Sequence, residues 1–316
     1  MVREPMKVAT YNILKGGSQR VHWVRMIEDF KVDLLLVQES YPHDEHLPPL
    51  MYPDASKRSA WEMAEKNGWG SAVYSRTGSV KLVPIPNFSG WVVGAEISGA
   101  SWQVGVVDPL LVFSVHTPSK GEAYWKQVNK LLDEIKKVAA GREVVIGGDF
   151  NLTVSDWHGP ERPTCKQDLW IQARLAEEFG LLNCWQAANP EQPLCQTLRW
   201  TGDRTIPYHC DGIFVPKGWR DRLQSCVVLT GVSGTVSAIT TPSWRASAAA
   251  NVGPWCAPAS VIQLHDKMPT IMTVSVTIGA PPFSRHHRGH RKFCPKSGGL
   301  QTASSAHHLV TDVYHA

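Results

Sequence analysis

The sequence has no long apolar run. A membrane-spanning helix needs roughly 18 or more consecutive apolar residues, and no stretch of the 316 residues approaches that length. A strand-like segment begins already at Lys7, which leaves no space for the apolar part of a secretory leader. These absences exclude a helical membrane protein. They predict that the chain is a cytoplasmic protein.

Paired cysteines are also missing. The seven Cys are odd in number and include no CxxC pair, so the sequence favours neither a zinc site nor a disulfide framework. Charged residues make up only 19% of the chain and hydrophobic residues 43%. That balance excludes a disordered chain, and the length allows one large α/β domain or two smaller domains.

Excess positive charge is absent from most of the chain. Residues 1–235 carry 25 Lys and Arg against 26 Asp and Glu, whereas residues 236–316 carry 7 against 2. The formal net charge of +4 therefore comes from the last quarter. The larger part lacks the bulk basicity of proteins that contact many DNA phosphates.

Strand and helix signals alternate along residues 1–235. A β-rich segment, Lys7–Ile13, is followed by apolar residues at helical spacing and then by the apolar run Leu34–Val37. The apolar stripe of Glu122–Ala140 ends at Gly141, as helices often do, and a buried-strand pattern follows. Helices mixed with short strands predict an α/β fold of two packed mixed sheets flanked by helices.

Polar residues recur where these strands begin or end: Asn12, Glu39, His116, Asp149, Asn151 and Asp211. Catalytic groups gather at such places because a rigid strand fixes the side chain while its end stays open to solvent. Taken singly, each of these residues could equally be a turn residue, a helix cap or a structural histidine.

Taken in order, five segments resemble the endonuclease/exonuclease/phosphatase superfamily, in its deoxyribonuclease I-like and exonuclease III-like branches. The segments are ATYNI, VQES, SVHTP, GGDFN and YHCDGIFVP, and the resemblance runs from Met6 to about Trp219. It implies a four-layer α/β sandwich and Mg²⁺-assisted cleavage of a phosphate ester, with Mn²⁺ as another suitable ion.

The resemblance also implies roles for individual residues. Glu39 and Asn12 would supply oxygen ligands to Mg²⁺, a hard ion that keeps several of its waters. Asp149 would orient or deprotonate the attacking water, and Asn151 would donate a hydrogen bond to a phosphoryl oxygen.

Two further residues follow from the same resemblance, and a third follows from strand periodicity. His116 matches a phosphate-contacting histidine of the family. Asp211 matches the carboxylate that supports a last catalytic histidine, by fixing its tautomer. His209 lies two residues earlier, which places it on the same face of a strand and makes it a candidate phosphate contact; the alternative is an ordinary histidine on the strand surface.

The Ser-Asp-His-x-Pro segment that supplies this last histidine in the family is missing after Val228. One choice of codons for Ser237–Arg245 encodes Ser-Asp-His-Tyr-Pro-Val-Val-Ala in another reading frame, so we hypothesise a frameshift between about Val228 and Ser237. With or without a frameshift, we expect residues 1–235 to be the catalytic domain without its last core strand, and residues 236–316 to be an atypical tail, disordered or out of frame. Coding DNA without GATCAC in the shifted frame would refute the frameshift.

Other interpretations of the tail remain open. Arg285–Lys292 (RHHRGHRK) could bind nucleic acid or another acidic surface, and its His cluster could bind a transition metal. Thr270–Ile278 alternates like a strand and could substitute for the missing one. We expect that alternation to be fortuitous.

The sequence thus predicts a monomeric, metal-dependent phosphoester hydrolase, most specifically a phosphodiesterase or nuclease with an Asp-activated water, impaired if the last histidine is lost. The alternatives are a phosphatase or phospholipase-type hydrolase of a small phosphoester, and an inactive binding protein on the same fold. A phosphoester is the expected partner, with nucleic acid as the first candidate. Trp157 and Trp200 could stack on a base or lie in the core.

Overall fold

A computed structural model describes residues 5–16, 20–103, 108–119, 121–156, 164–195, 197, 209–229 and 273–279. These residues form twelve strands and four α-helices, joined by turns and short 3-10 segments. In chain order they are β1 (Met6–Asn12), α1 (His22–Glu28), β2 (Leu34–Ser40), β3 (Ser59–Met63), β4 (Gly70–Ser75), β5 (Ser79–Val83), β6 (Val92–Ser98), β7 (Leu110–His116), α2 (Tyr124–Ala139), β8 (Val144–Asp149), α3 (Lys166–Glu177), β9 (Leu181–Asn183), α4 (Cys184–Ala188), β10 (Asp211–Pro216), β11 (Leu223–Leu229) and β12 (Thr273–Ile278).

The strands form two mixed sheets of six strands each. The first sheet has the order β11-β12-β1-β2-β4-β3, and the second has the order β5-β6-β7-β8-β10-β9. Within each sheet one central pair is parallel, β1 with β2 and β7 with β8, and the other pairs are antiparallel. The carboxyl ends of the parallel strands therefore share one edge of each sheet.

Three apolar clusters define the layers. The largest lies between the sheets and joins residues such as Leu36 and Val73 of the first sheet to Val112 and Val145 of the second. A second cluster packs α2 and α3 on the outer face of the second sheet, and a third packs α1 on the outer face of the first. The predicted four-layer α/β sandwich is confirmed.

Helix α2 shows how the sequence fixes the outer layer. Its buried stripe is spaced three and four residues apart, which places these side chains on one face. The helix ends at Ala139, and the next residue, Ala140, has a left-handed φ of 48° and is followed by Gly141. Among the helices of the described residues, none is long and apolar enough to cross a membrane.

The expectation of a vacant last strand is wrong. Strand β12 lies between β1 and β11 and pairs antiparallel with both. Val274 lies opposite Thr10 of β1 on one side and opposite Val228 of β11 on the other. Val276 and Ile278 are buried in the cluster between the sheets. The alternating segment supplies the strand and is not fortuitous, because this position requires only backbone hydrogen bonds and an apolar side chain at every second residue. The frameshift stays a prediction.

Replacing Val276 by Asp tests whether this part of the tail belongs to the folded domain. Val276 is fully buried, so an unpaired carboxylate there should lower the free energy of unfolding by about 3 kcal/mol or more. Val227→Asp in the adjacent strand β11, at a position 45% exposed, should change it by about 0.5 kcal/mol or less. Equal denaturation midpoints for the two variants would show that β12 does not contribute to the fold.

Candidate active site

Strand ends from both sheets meet at the candidate site. Asn12 ends β1 and Glu39 lies near the end of β2 in the first sheet. In the second sheet, the strand register sets His116 beside Asp149 and Asp149 beside Asp211. The sequence separates these residues by up to two hundred positions, and the sandwich brings them to one edge.

The side chain of Asn12 joins the two sheets directly. Its Nδ2 donates to Glu39 Oε1 at 3.2 Å and to Asp149 Oδ2 at 3.1 Å. Its Oδ1 accepts from the backbone N–H of Leu14 at 3.0 Å. Two carboxylates from different sheets therefore share one amide donor.

Glu39 is held in an unusual backbone conformation. Its φ is 52°, a left-handed value, and the pairing of β2 with β4 is irregular between Val37 and Ser40. Such irregularities re-aim a side chain at the end of a strand. The loop after β1 stabilises the result, because Lys15 N–H donates to Glu39 Oε2 at 3.0 Å and Gly16 N–H to the Glu39 carbonyl.

Ser40 anchors the other side of Glu39. Its hydroxyl donates to the Tyr41 carbonyl at 2.7 Å, accepts from Trp23 Nε1 at 3.2 Å and lies 3.2 Å from His46 Nε2. Trp61 Nε1 donates to the Ser40 carbonyl at 2.9 Å. The Trp23 and His46 rings stack at 5.4 Å, and burial lowers the pKa of His46 to about 4. These contacts hold the backbone behind Glu39.

A buried polar link joins the sheets below the site. Gln38 Nε2 donates to Thr10 Oγ1 at 3.1 Å and to Ser114 Oγ at 2.9 Å. Ser114 Oγ in turn donates to the Val37 carbonyl at 3.0 Å. Thr10 and Gln38 belong to the first sheet and Ser114 to the second, each one or two residues before a side chain of the site. The link fixes the relative position of the two sheet edges.

Asp149 is buried and oriented from two directions. It is 5% exposed, and its Oδ1 accepts from Asn151 N–H at 2.9 Å while Asn12 holds the other oxygen. Asn151 has a left-handed φ of 54°, which Asn tolerates well. Its Nδ2 donates to the Thr117 carbonyl at 3.1 Å. The carboxylate thus has a fixed plane and is not free to rotate.

His116 lies between the acidic groups and two tryptophans. Its Nε2 is 3.6 Å from Glu39 Oε1, so the two form an ion pair when the imidazole is protonated. Its other ring nitrogen, Nδ1, and the hydroxyl of the adjacent Thr117 are buried and have no hydrogen-bond partner among the described residues. Buried polar atoms without partners are rare, and two of them on adjacent residues of the site indicate a place for a ligand.

Asp211 is as buried as Asp149, at 5% exposed. Burial raises its pKa well above the ordinary value, the charge of Asp149 raises it further, and a hydrogen bond with Thr197 opposes the shift. Its backbone N–H also donates to Thr197 Oγ1 at 3.1 Å. Within the described residues, no hydrogen bond joins Asp211 to a histidine, so the residue that it was expected to support is not among them.

His209 does not join the other predicted residues. Its ring is fully buried, donates through Nδ1 to the Cys195 carbonyl at 2.6 Å and packs 5.5 Å from the Trp185 ring. The argument from strand periodicity does not apply, because β10 begins only at Asp211. These contacts favour the structural alternative over a substrate contact.

The structure thus brings six of the seven predicted residues together, and it adds others that the sequence argument did not select. Thr117 is part of the SVHTP segment and could have been chosen from it. Ser40 is likewise part of the VQES segment, whereas Lys15 carries no sequence signal, because it contacts Glu39 through its backbone N–H. Trp157, Trp200 and the basic run at residues 285–292 lie outside the described residues.

The donor set fits a hard cation. Asn12 and Glu39 are half-buried and reach solvent, and among the described side chains the three carboxylates nearby have only His116 as a cationic partner at contact distance. An amide oxygen has two lone pairs, so Asn12 Oδ1 can accept from Leu14 and still bind an ion. In the described part of the chain, no group of three or more His, Cys, Asp or Glu could hold a metal ion by itself, so amide and water oxygens would have to complete the shell of an ion here.

The pH dependence of stability tests the placement of His209. Burial lowers its pKa from 6.5 to about 4, so between these pH values the unfolded chain binds a proton that the folded protein does not. The contribution of His209 to the free energy of unfolding is therefore fully present above pH 6.5. It decreases toward pH 4 by ~1.4 kcal/mol per pH unit. His209→Asn should reduce the measured slope by that amount, leaving the part due to His46. An unchanged slope would place His209 in solvent.

Known proteins share this architecture. The endonuclease domain of TRAS1, a telomere-specific non-LTR retrotransposon, is 14% identical with a TM-score of 0.54 and covers 87% of this chain and 99% of its own. An AP endonuclease from Archaeoglobus fulgidus is 15% identical with a TM-score of 0.56, covering 86% and 99%. The 3′ phosphatase NExo from Neisseria, bound to product DNA hairpin, is 17% identical with a TM-score of 0.56, again covering 86% and 99%. At these identities the likeness shows the fold.

The sequence itself shows the family. No curated protein matches the chain at a significant level. A sequence model of the Endonuclease/Exonuclease/phosphatase family matches residues 9–256, which is more than half of the 316 residues. The chain therefore belongs to the endonuclease/exonuclease/phosphatase family of phosphoester hydrolases.

Proposed function

We propose that the chain is a divalent-metal-dependent phosphodiesterase and that its substrate is nucleic acid. One observation carries the proposal: Asn12 donates to Glu39 and to Asp149, carboxylates from different sheets, at 3.2 and 3.1 Å. A metal ligand, here Glu39, and a water-activating base, here Asp149, must be close neighbours if one phosphate is to contact both.

Glu39 and the amide oxygen of Asn12 would hold the ion, Mg²⁺ or Mn²⁺. When bound, it would neutralise phosphate charge and stabilise the leaving oxygen. Lys15, Gly16 and Ser40 hold Glu39 in place for this purpose through the contacts described above. Such supporting contacts commonly change metal affinity by roughly 10- to 100-fold.

Asp149 is the base in this proposal. Its plane is fixed by Asn151 N–H and by Asn12, so one carboxylate can take the proton of a water that attacks phosphorus. His116 Nδ1 and Thr117 Oγ1 have no partner among the described residues, and in this proposal they would bond the phosphoryl oxygens together with Asn151. Asp211, beside Asp149, keeps its proton more readily than an ordinary carboxyl because burial raises its pKa, which limits the repulsion between the two groups.

Nucleic acid is the substrate favoured by the comparisons. Two of the similar structures are named as endonucleases and the third as a phosphatase bound to a DNA hairpin. Residues 1–235 carry no excess positive charge, so we expect only a few phosphate contacts. The cytoplasmic location and the monomeric state stay predictions.

Glu39→Gln tests the proposed ion site. The variant keeps the shape of the side chain and removes its charge, so Mg²⁺-dependent hydrolysis of bis-p-nitrophenyl phosphate should fall by at least about 100-fold, as expected for an interaction of several kcal/mol. The steady-state rate is measured as a function of Mg²⁺ concentration, with thermal unfolding as a check on folding.

Glu191→Gln is the matched control, since Glu191 is exposed in a turn after α4 and should leave the rate unchanged. Hydrolysis that persists in Glu39→Gln, or that does not respond to Mg²⁺ in the unmodified chain, would contradict the proposal. In the second case the non-catalytic binding protein would be the better description.

A further inference from the structure

Two tryptophans lie against His116 at the candidate site. The ring centroids of Trp91 and Trp69 are 5.3 and 5.7 Å from that of His116, and the two indoles meet edge to face at 5.4 Å and 87°. Both indoles are half-buried, whereas His116 is 7% exposed. We call Trp69, Trp91 and His116 the aromatic cluster.

The backbone around the aromatic cluster is firmly held. The Trp91 carbonyl accepts from His116 N–H at 2.8 Å and from Ser71 Oγ at 3.0 Å. The Trp69 carbonyl accepts from Ala64 N–H at 2.8 Å and closes a tight turn. The fold itself therefore keeps both tryptophans in place beside His116, which lowers the entropic cost of binding a ligand there.

We propose that the aromatic cluster binds a nucleobase of the substrate, on the nucleotide next to the phosphate that is cleaved. This inference rests on the proposed function, since it takes the phosphate site to lie at Asn12, Asp149 and His116. A nucleobase is linked to its phosphate through a single sugar, and the cluster begins at the histidine whose Nδ1 has no partner among the described residues.

Charge and chemistry favour a base over other groups. Residues 1–235 have no excess positive charge, so phosphate contacts alone give weak binding, and stacking on aromatic rings has to supply part of the affinity. Indole rings stack on every base, because each base presents a π-face. Trp69 and Trp91 thus add affinity for nucleic acid with little dependence on base sequence.

The test compares two probes of equal charge. One is a short, fluorescein-labelled oligothymidylate, and the other has the same backbone with every base replaced by hydrogen. The fluorescence anisotropy of each labelled probe is measured as the full chain is added in EDTA, which allows binding without metal-dependent cleavage. We expect the unmodified chain to prefer the base-bearing probe by about 5- to 100-fold, and Trp69→Ala to reduce this preference to within about threefold.

Two further variants control for folding and for general loss of aromatic surface. Trp69→Phe retains a ring and should keep most of the preference. Trp219→Ala removes a tryptophan that follows the far end of β10 and should leave the preference unchanged. An undiminished preference in Trp69→Ala, or no preference in the unmodified chain, would overturn the inference.

The outcome is distinguishable from failure of the proposed function. A base preference that Trp69→Ala abolishes, with no Mg²⁺-dependent cleavage of either probe, would support the aromatic cluster as a binding site and reject the hydrolase. Cleavage of both probes at equal rates by the unmodified chain and by Trp69→Ala, with equal binding, would reject the base site alone.

Discussion

The buried hydrogen bonds of Gln38 with Thr10 and Ser114 are the contact on which the rest of the site depends. Apart from this link and the contacts of Asn12 and His116 at the site, the sheets pack mainly through apolar side chains. Apolar packing resists separation but specifies sliding and rotation less strictly. A buried amide whose partners lie in both sheets allows one relative position, because any other leaves polar groups unpaired in the core. Asn12, Glu39 and His116 each lie one or two residues after Thr10, Gln38 and Ser114 in the sequence. The link therefore also fixes the positions of these site residues.

Charge is the second constraint. Glu39, Asp149 and Asp211 converge at the site. The pKa of Asp211 is raised because burial and the charge of Asp149 make a further negative charge unfavourable. Asn12 offsets part of this by donating to two of the carboxylates. A site with this deficit of positive charge binds cations readily and holds a base in a fixed plane, and both properties suit hydrolysis of a phosphate ester. The left-handed conformation of Glu39 is the local strain that accompanies this arrangement.

Much of the site could be predicted from the sequence, because polar residues at strand ends are a local pattern and parallel strands bring their carboxyl ends to one edge. Asn12, Glu39, His116, Asp149 and Asp211 meet as expected. His209 does not, since two-residue periodicity applies only inside a strand. The contacts of Trp69 and Trp91 with His116 could not be predicted, because they join different strands through tertiary packing. The same is true of β12, whose place depends on backbone pairing more than on sequence identity.

The central claim is that the edges of the two sheets form a single hydrolytic site. The values of kcat/KM for Glu39→Gln, Asp149→Asn and the double variant test it most directly, because residues that act as one unit have strongly non-additive effects. The account predicts that the double variant is within about tenfold of the more damaging single variant. A loss equal to the product of the two single losses would mean that the carboxylates act independently, and it would contradict the claim.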